Sequence, residues 1–399
     1  YQALYSNTTG DNNTANGLQA LYFNTTGHSN VANGQGALYF NTTGHSNVAT
    51  GKDSLYNNAT GNRNVANGYR ALFTNTTGSE NTANGYYALY NNTIGEDNVA
   101  GGYYALYHNT TGNKNVAFGR GACQNNTTGS ENVAVGRWAN LNNTTGGYNV
   151  ANGESALFSN TTGGSNTANG RHALYNNTTG SGNVGIGRSA ATALTTGQNN
   201  VCVGFGAALI LTTGSENTCI GRSAGEFTGP TTGSRNVLIG LDARASTGNA
   251  QNQLVITSGA TATGKGDSTG FIDPEGGGVY QGNNSSSWST TSDRRLKKNI
   301  VDNTTGLSKI NDIRVRNFEY RLPEEITELS KDTAIETKGV QLGVIAQELK
   351  EVLPDCVKTE STGVMTVDPD NLTWYLVNAV QELSTMVKEL QDEIKTLKG

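Results

Sequence analysis

Small, β-branched and aromatic residues recur along this chain at a fixed interval of seventeen, set among glycine, asparagine and threonine. Thr14, Val31, Val48, Val65, Thr82 and Val99 share one position, and Ala15, Ala32, Ala49, Ala66 and Ala83 the next. Tyr22, Tyr39, Tyr56, Phe73, Tyr90 and Tyr107 share a third. Every seventeenth residue from Gly10 to Gly214 is glycine, and a second glycine follows seven residues after each, from Gly17 to Gly221. Such self-similarity marks one small unit copied along an axis, each copy touching its neighbours. Seventeen residues are too few for a helix pair and enough for two short strands and two turns. The β-branched position suits a pleated surface. The alanines predict a thin, closed interior, and the fixed glycines and asparagines predict corners at positive φ. Asn13, Asn30, Asn47 and Asn64 predict a ladder of stacked amides.

The pattern therefore predicts an all-β shaft over residues 1–240, a 17-residue β-solenoid or β-roll. Thirteen coils at about 4.8 Å each give a shaft of roughly 60 Å. The position of Asn16, Asn33 and Asn67 becomes Phe118, Val135, Ile186, Val203, Ile220 and Ile239, so an interior or interchain face grows more apolar toward the C-terminus. The interval from Gly214 to Gly233 is two residues longer and carries Pro230, which predicts that the shaft ends or changes section there. Residues 241–291 read as a β connector, with strands at Gln253–Thr257 and Gly278–Gln281. The chain opens inside a repeat, which predicts an N-terminal attachment region outside this sequence.

From residue 292 the composition changes. This stretch holds 15 of the 27 Lys and Arg and 19 of the 32 Asp and Glu. It reads as a small α+β domain, 292–399. A helix is predicted over Gly306–Ile313, an extended segment over Val315–Tyr320, and strand into helix over Gly343–Pro354, stopped by the proline. Leu376, Val380, Leu383, Val387, Leu390, Ile394 and Leu397 then alternate by four and three, with β-branched residues at a and leucine at d. Nothing follows that would cover the stripe, so residues 374–398 predict a coiled coil.

Composition narrows the chemistry. A net charge of -5 argues against nucleic acid, whose phosphates need a basic surface, and no run of eighteen apolar residues suits a membrane span. No cofactor motif and no metal cluster is read; His28 and His45 share a repeat position and are taken as turn residues. Cys202 and Cys219 lie one unit apart in alanine slots, as two buried thiols or a rung-to-rung disulfide. The repeated Asn-x-Thr sequons, beginning at Asn7, are read as turn chemistry rather than glycan acceptors. The acids Asp11, Glu80, Glu96, Asp97, Glu131 and Glu154 are scattered without the recurring carboxylate pair a glycosidase needs.

Ser292-Asp293-Arg294-Arg295-Leu296-Lys297, the Gly343–Pro354 phrase and the terminal heptads together resemble the intramolecular chaperone domain of phage tail fibres and tailspikes, the S74 peptidase family. The repeats resemble the shafts upstream of such domains and, more loosely, the β-roll heads of trimeric adhesins. The resemblance implies that the domain trimerises the chain, holds the β-shafts in register while they fold, and cuts itself off between Thr291 and Ser292. Ser292 would be the nucleophile and Lys297 its base, with Lys298 directly after it as the alternative. The C-terminal domain has no histidine, and a lysine serves as base where burial keeps it neutral. The expected protein is then a homotrimeric fibre shaft on a virion or extracellular surface, with a host glycan or protein receptor. Its only chemistry is one self-cleavage, which releases the chaperone domain. The alternatives are a polysaccharide-degrading tailspike and a bacterial surface or ice-binding adhesin.

Overall fold

A computed structural model describes residues 2–225, 231–259, 261–274, 279–282, 289–290, 294–329, 335, 337–360 and 363–398. The chain separates into two compact units, residues 1–291 and 292–399.

The first unit is a parallel β-solenoid. Its strands run β1 (Thr14–Asn16), β2 (Val31–Asn33) and onward, one every coil, to β14 (Val237–Ile239), β15 (Leu254–Thr257) and β16 (Gly270–Asp273). Each pairs in parallel with the next and in strict register: Ala15 faces Ala32, and Ala32 faces Ala49. The stack does not stop near residue 240. Thr231 bridges to Leu211 beyond the longer interval, and β14 to β16 carry the parallel ladder on through the stretch expected to be a connector. Two antiparallel strands, β17 (Val279–Gln281) and β18 (Ser289–Thr290), follow.

Each coil holds one strand, not the expected two. The second apolar segment passes through Leu38, whose φ of 52° is left-handed and breaks the pleat. Its amides still bond the next coil, as in Leu38 N–H to the Ser54 carbonyl at 3.0 Å. Leucine rarely adopts this conformation, at a cost of order 1–3 kcal/mol. Complete burial of the column Leu21, Leu38, Leu55 and Leu72 offsets it, at about 1.5–3 kcal/mol per side chain. The alanines fill the remaining interior, as their small size predicts.

Two amide ladders run through the core. In the expected one, Asn64 donates its backbone N–H and its Nδ2 to Asn47 Oδ1, at 3.0 and 3.2 Å. The other was not read from the sequence: Asn58 Nδ2 donates to Asn41 Oδ1 at 2.9 Å. Both converge on one glycine carbonyl, since Gly61 O accepts Asn47 Nδ2 at 2.8 Å and Asn58 Nδ2 at 2.9 Å. The second ladder is made of sequon asparagines, which from Asn24 on are fully buried and closed to a glycan. The column that follows it is spent similarly: Thr25 Oγ1 donates to the Thr42 carbonyl at 2.9 Å.

The second glycine of each repeat lies at positive φ as expected, whereas the first glycine and the ladder asparagines do a different job. Gly27 and the ladder asparagines are not at positive φ. A Cβ on Gly27 would lie 2.4 Å from both Asn24 Oδ1 and the Gly44 carbonyl oxygen. This glycine is needed for clearance. Positive φ falls instead on variable turn positions such as Ser29 and Asp53, on the leucine column, and on the second glycine, where Gly34 has φ of 147°. Corners at variable positions are set by the stack, so their residue types carry little signal.

Outside the core, like stacks on like. Tyr22, Tyr39 and Tyr56 stack with centroids 5.3 and 4.9 Å apart, and His28 on His45 at 4.8 Å. Cys202 lies opposite Cys219 as a free, buried thiol, its pKa raised by the hydrogen bond with Cys219 and by burial. All these ladders pair residues of one chain, so each chain closes its own shaft. Seventeen residues suffice to complete a coil, so the pairing of one coil with the next lies within the chain.

Two polar side chains mark breaks in the pattern. Asn140 occupies the leucine column with Oδ1 unpartnered, and Asn177 ends its ladder below Leu194, also with Oδ1 unpartnered. Replacing Asn140 by leucine removes an unmet buried amide, worth about 1–3 kcal/mol. Asn140→Leu should thus raise the thermal unfolding midpoint followed by circular dichroism, whereas Gly112→Ala, which drives a Cβ to 2.3 Å from the Gly129 carbonyl oxygen, should lower it. A neutral Gly112→Ala would refute the clearance requirement.

Candidate functional site

The second unit begins with the residues on which the self-cleavage reading rests. Thr291 and Ser292 lie outside the described residues. Lys297 follows a single 3-10 turn, Arg294–Leu296, and its backbone N–H donates to the Arg294 carbonyl at 3.1 Å. The lysine side chain is exposed. Burial, which would keep such a lysine neutral, is therefore not supplied by the described residues of its own chain.

The body of the unit is built from α1 (Leu307–Asn311), β19 (Arg316–Phe318), β20 (Gln341–Gly343), α2 (Ala346–Val352), β21 (Val357–Thr359), β22 (Met365–Val367) and α3 (Pro369–Lys398). The expected helix, extended segment and strand-into-helix all form, and Pro354 opens a 3-10 turn directly after α2. Leu349, Leu353, Cys356 and Val357 make a small core, against which Leu372 and Tyr375 of α3 pack. Arg316 holds Glu348 through two bonds of 3.1 and 2.9 Å and so joins β19 to α2. That guanidinium lowers the Glu348 pKa.

Three contacts seat α3 on the segment before α1. Glu382 Oε2 accepts the Leu307 N–H at 2.8 Å, and Asn378 Nδ2 donates to the carbonyls of Asn303 and Thr305 at 2.9 and 3.0 Å. Gly306 lies flat against the helix, where a Cβ would meet Ala379 N at 2.9 Å. At the start of α3, Asp368 caps the backbone N–H groups of Asp370 and Asn371 at 3.1 and 3.2 Å. The Asn371 bond is the main cause of the lowered Asp368 pKa. A groove of about 420 Å³ lies beside this joint, lined by Asn303, Asp355, Trp374, Tyr375 and Asn378. Trp374 is 66% exposed.

Beyond Ala379, α3 leaves the core. Leu376, Val380, Leu383, Val387, Leu390, Ile394 and Leu397 are all exposed, from 45% at Leu376 to 86% at Leu397. Val377 and Met386, which the heptad reading left out, widen the stripe. Among the described residues nothing covers this apolar face. Among the described residues no cluster of metal-ligating side chains occurs, and no helix is long and apolar enough to cross a membrane.

Residues 292–358 match the chaperone-of-endosialidase family, peptidase S74. The second unit thus carries a domain of that family, downstream of a β-solenoid shaft. A 104-residue stretch of the chain, 26% of its length, is 33% identical to myelin regulatory factor homolog 1 of Caenorhabditis elegans, covering 11% of that protein. The chain thus spans about a tenth of the length of this curated relative. No solved structure matches the chain.

Two predictions follow from the seating of α3. Gly306→Ala should detach the α1 segment from the helix and raise amide exchange across residues 303–311; unchanged exchange would show that the close approach is dispensable. Asp368 has a folded pKa below its unfolded value, so its stabilising effect is full above about pH 4 and lost as pH falls through the folded pKa. Asp368→Asn should accordingly flatten the acid limb of the second unit's stability curve, read as amide exchange in the first turns of α3 against pH.

Proposed function

We propose that this chain is the shaft of a homotrimeric fibre of the phage tail-fibre type, assembled by its C-terminal domain and then freed from it by one self-cleavage between Thr291 and Ser292. The single observation that carries this reading is the uncovered apolar stripe of α3 on a domain of the S74 family. A second surface supports it. In the later coils Phe118, Val135, Ile186 and Ile220 stand 38–45% exposed on the outer face of their strands, with Asn152 and Asn169 between Val135 and Ile186. Earlier coils carry polar residues such as Asn16 and Asn33 there. Three chains brought together by the helices would cover both.

The cleavage chemistry needs only the chain and water. Ser292 Oγ attacks the Thr291 carbonyl carbon as Lys297 takes the hydroxyl proton. The Thr291–Ser292 C–N bond breaks, the Ser292 nitrogen gains a proton, and an ester joins Thr291 to the serine oxygen. Water then adds to the ester and releases the Thr291 carboxylate and Ser292 with a free α-amine. Nucleophile and target bond are adjacent in sequence, so proximity is built in. Lys297 is exposed in the single chain, and a neighbouring subunit would cover it in the trimer. Cleavage thereby waits for assembly. The shaft is carried on a virion or other extracellular surface and contacts a host glycan or protein.

Intact mass and native mass spectrometry test both steps. Wild type should form trimers and yield two fragments split before Ser292, and Ser292→Ala should form trimers and stay whole. Leu390→Asp should give monomers that stay whole, since no subunit then covers Lys297. Cut monomers of Leu390→Asp would overturn the coupling of cleavage to assembly. A monomeric wild type would overturn the fibre reading itself.

A further inference from the structure

In the later coils of the solenoid most charges are sorted by corner. Between Asn115 and Gly225 the basic residues are Arg120, Arg137, Arg171, Arg188 and Arg222, and all five occupy one position of the repeat, the residue after the second glycine. All five are exposed. Strict coil stacking makes them a single line parallel to the shaft axis, with neighbouring coils about 4.8 Å apart. Of the acids in this stretch, Glu131 and Glu216 sit at a different corner, before the ladder asparagine, where φ is 59° for each. The shaft thus presents a basic edge although the whole chain is acidic.

Three features refine the edge. Glu154 is the one acid on the line. It bonds Arg137, lies 3.5 Å from Arg171 Nε, and has its own pKa lowered chiefly by Arg137. Arg188 lies over the Phe205 ring at 5.5 Å. Toward the N-terminus the same line continues as Tyr103, Tyr86 and Tyr69, stacked on one another with centroids 5.3 and 5.2 Å apart, and Arg120 lies 5.7 Å from the Tyr103 centroid. Both faces of Tyr86 are therefore taken, and its edge meets solvent.

We propose that this line is a binding rail for a linear acidic polysaccharide, a chain of uronate-bearing sugars lying along the shaft. Guanidinium groups fork onto carboxylates through paired N–H bonds, and the coil spacing is close to the length of one sugar in such a chain. The tyrosine edges offer hydrogen bonds to sugar hydroxyls. They do not offer the open ring faces on which the bases of single-stranded nucleic acid stack. Glu154 holds two of the arginines and repels the ligand, so it sets the strength of the rail. The rail rests on the shaft alone and requires neither trimerisation nor cleavage, so its failure and theirs are separately visible.

Binding of the full chain to polygalacturonate, measured by biolayer interferometry beside uncharged dextran and an oligothymidylate, tests the rail. Polygalacturonate should bind, dextran should not, and binding should weaken steeply from about 50 mM to about 200 mM salt. The double variant Arg171→Ser, Arg188→Ser should bind on the order of tenfold more weakly, with an unchanged thermal unfolding midpoint. Glu154→Gln should bind more tightly than wild type, and Glu131→Gln, on the other corner, should match wild type. The rail is overturned if the arginine pair can be removed without loss, or if Glu154→Gln does not bind more tightly. Dextran binding as well as polygalacturonate, or tighter binding of the oligothymidylate, would also overturn it.

Discussion

The shaft depends on one constraint: consecutive coils approach to the spacing of hydrogen-bonded strands at every point of their circumference, corners included. At that distance a buried amide on one coil reaches the same amide on the next, and a glycine carbonyl collects bonds from both asparagine ladders. The same distance forbids a Cβ at Gly27 and its equivalents, where the nearest atoms are 2.0–2.4 Å away. Ladder and clearance are two sides of one geometry. The interior is so thin that alanine, leucine and asparagine fill it. Its polar groups are satisfied by repetition along the axis rather than by varied partners within a coil.

That geometry changes what an assembly domain has to do. Seventeen residues complete a coil, and each coil bonds the next in the same chain, so the register of the shaft is set by connectivity. A trimerising domain then has no need to align strands of different chains. On the reading proposed above it would bring three closed shafts side by side, and the apolar outer face of the later coils is where they would meet. On that reading the α3 helix would serve the role, because its first third is fastened to a small core while the remainder keeps a broad apolar stripe exposed.

A monotonous core leaves the outer positions free to vary. Between residues 115 and 225, Glu131 and Glu216 sit at the turn before the ladder asparagine and five arginines at the turn after the second glycine, around the same interior. Rings stack at about the coil spacing wherever they fall in line. Each corner behaves as a rail whose chemistry is written one residue per coil. Such a surface suits extended ligands better than compact ones, since nothing in it is deeper than a side chain.

The sequence alone determined the repeat, its length, the solenoid class, the alanine interior, one amide ladder, the aromatic column and the heptad stripe. Each of these shows as a period, and stacking in register preserves a period. It also carried the resemblance of the C-terminal segment, because Ser292–Lys297 and Gly343–Pro354 are local phrases. Only the tertiary structure decided which glycines serve for clearance and which for φ, because that depends on the neighbouring coil seventeen residues away. It likewise revealed that the sequon asparagines are buried and that a leucine breaks the second strand. It carried the stack past residue 240, where the sequence period is lost but the strand spacing is kept. The exposure of Lys297 was hidden in the sequence for the same reason. Whether a side chain is covered depends on what packs over it, and no neighbour in the primary structure fixes that.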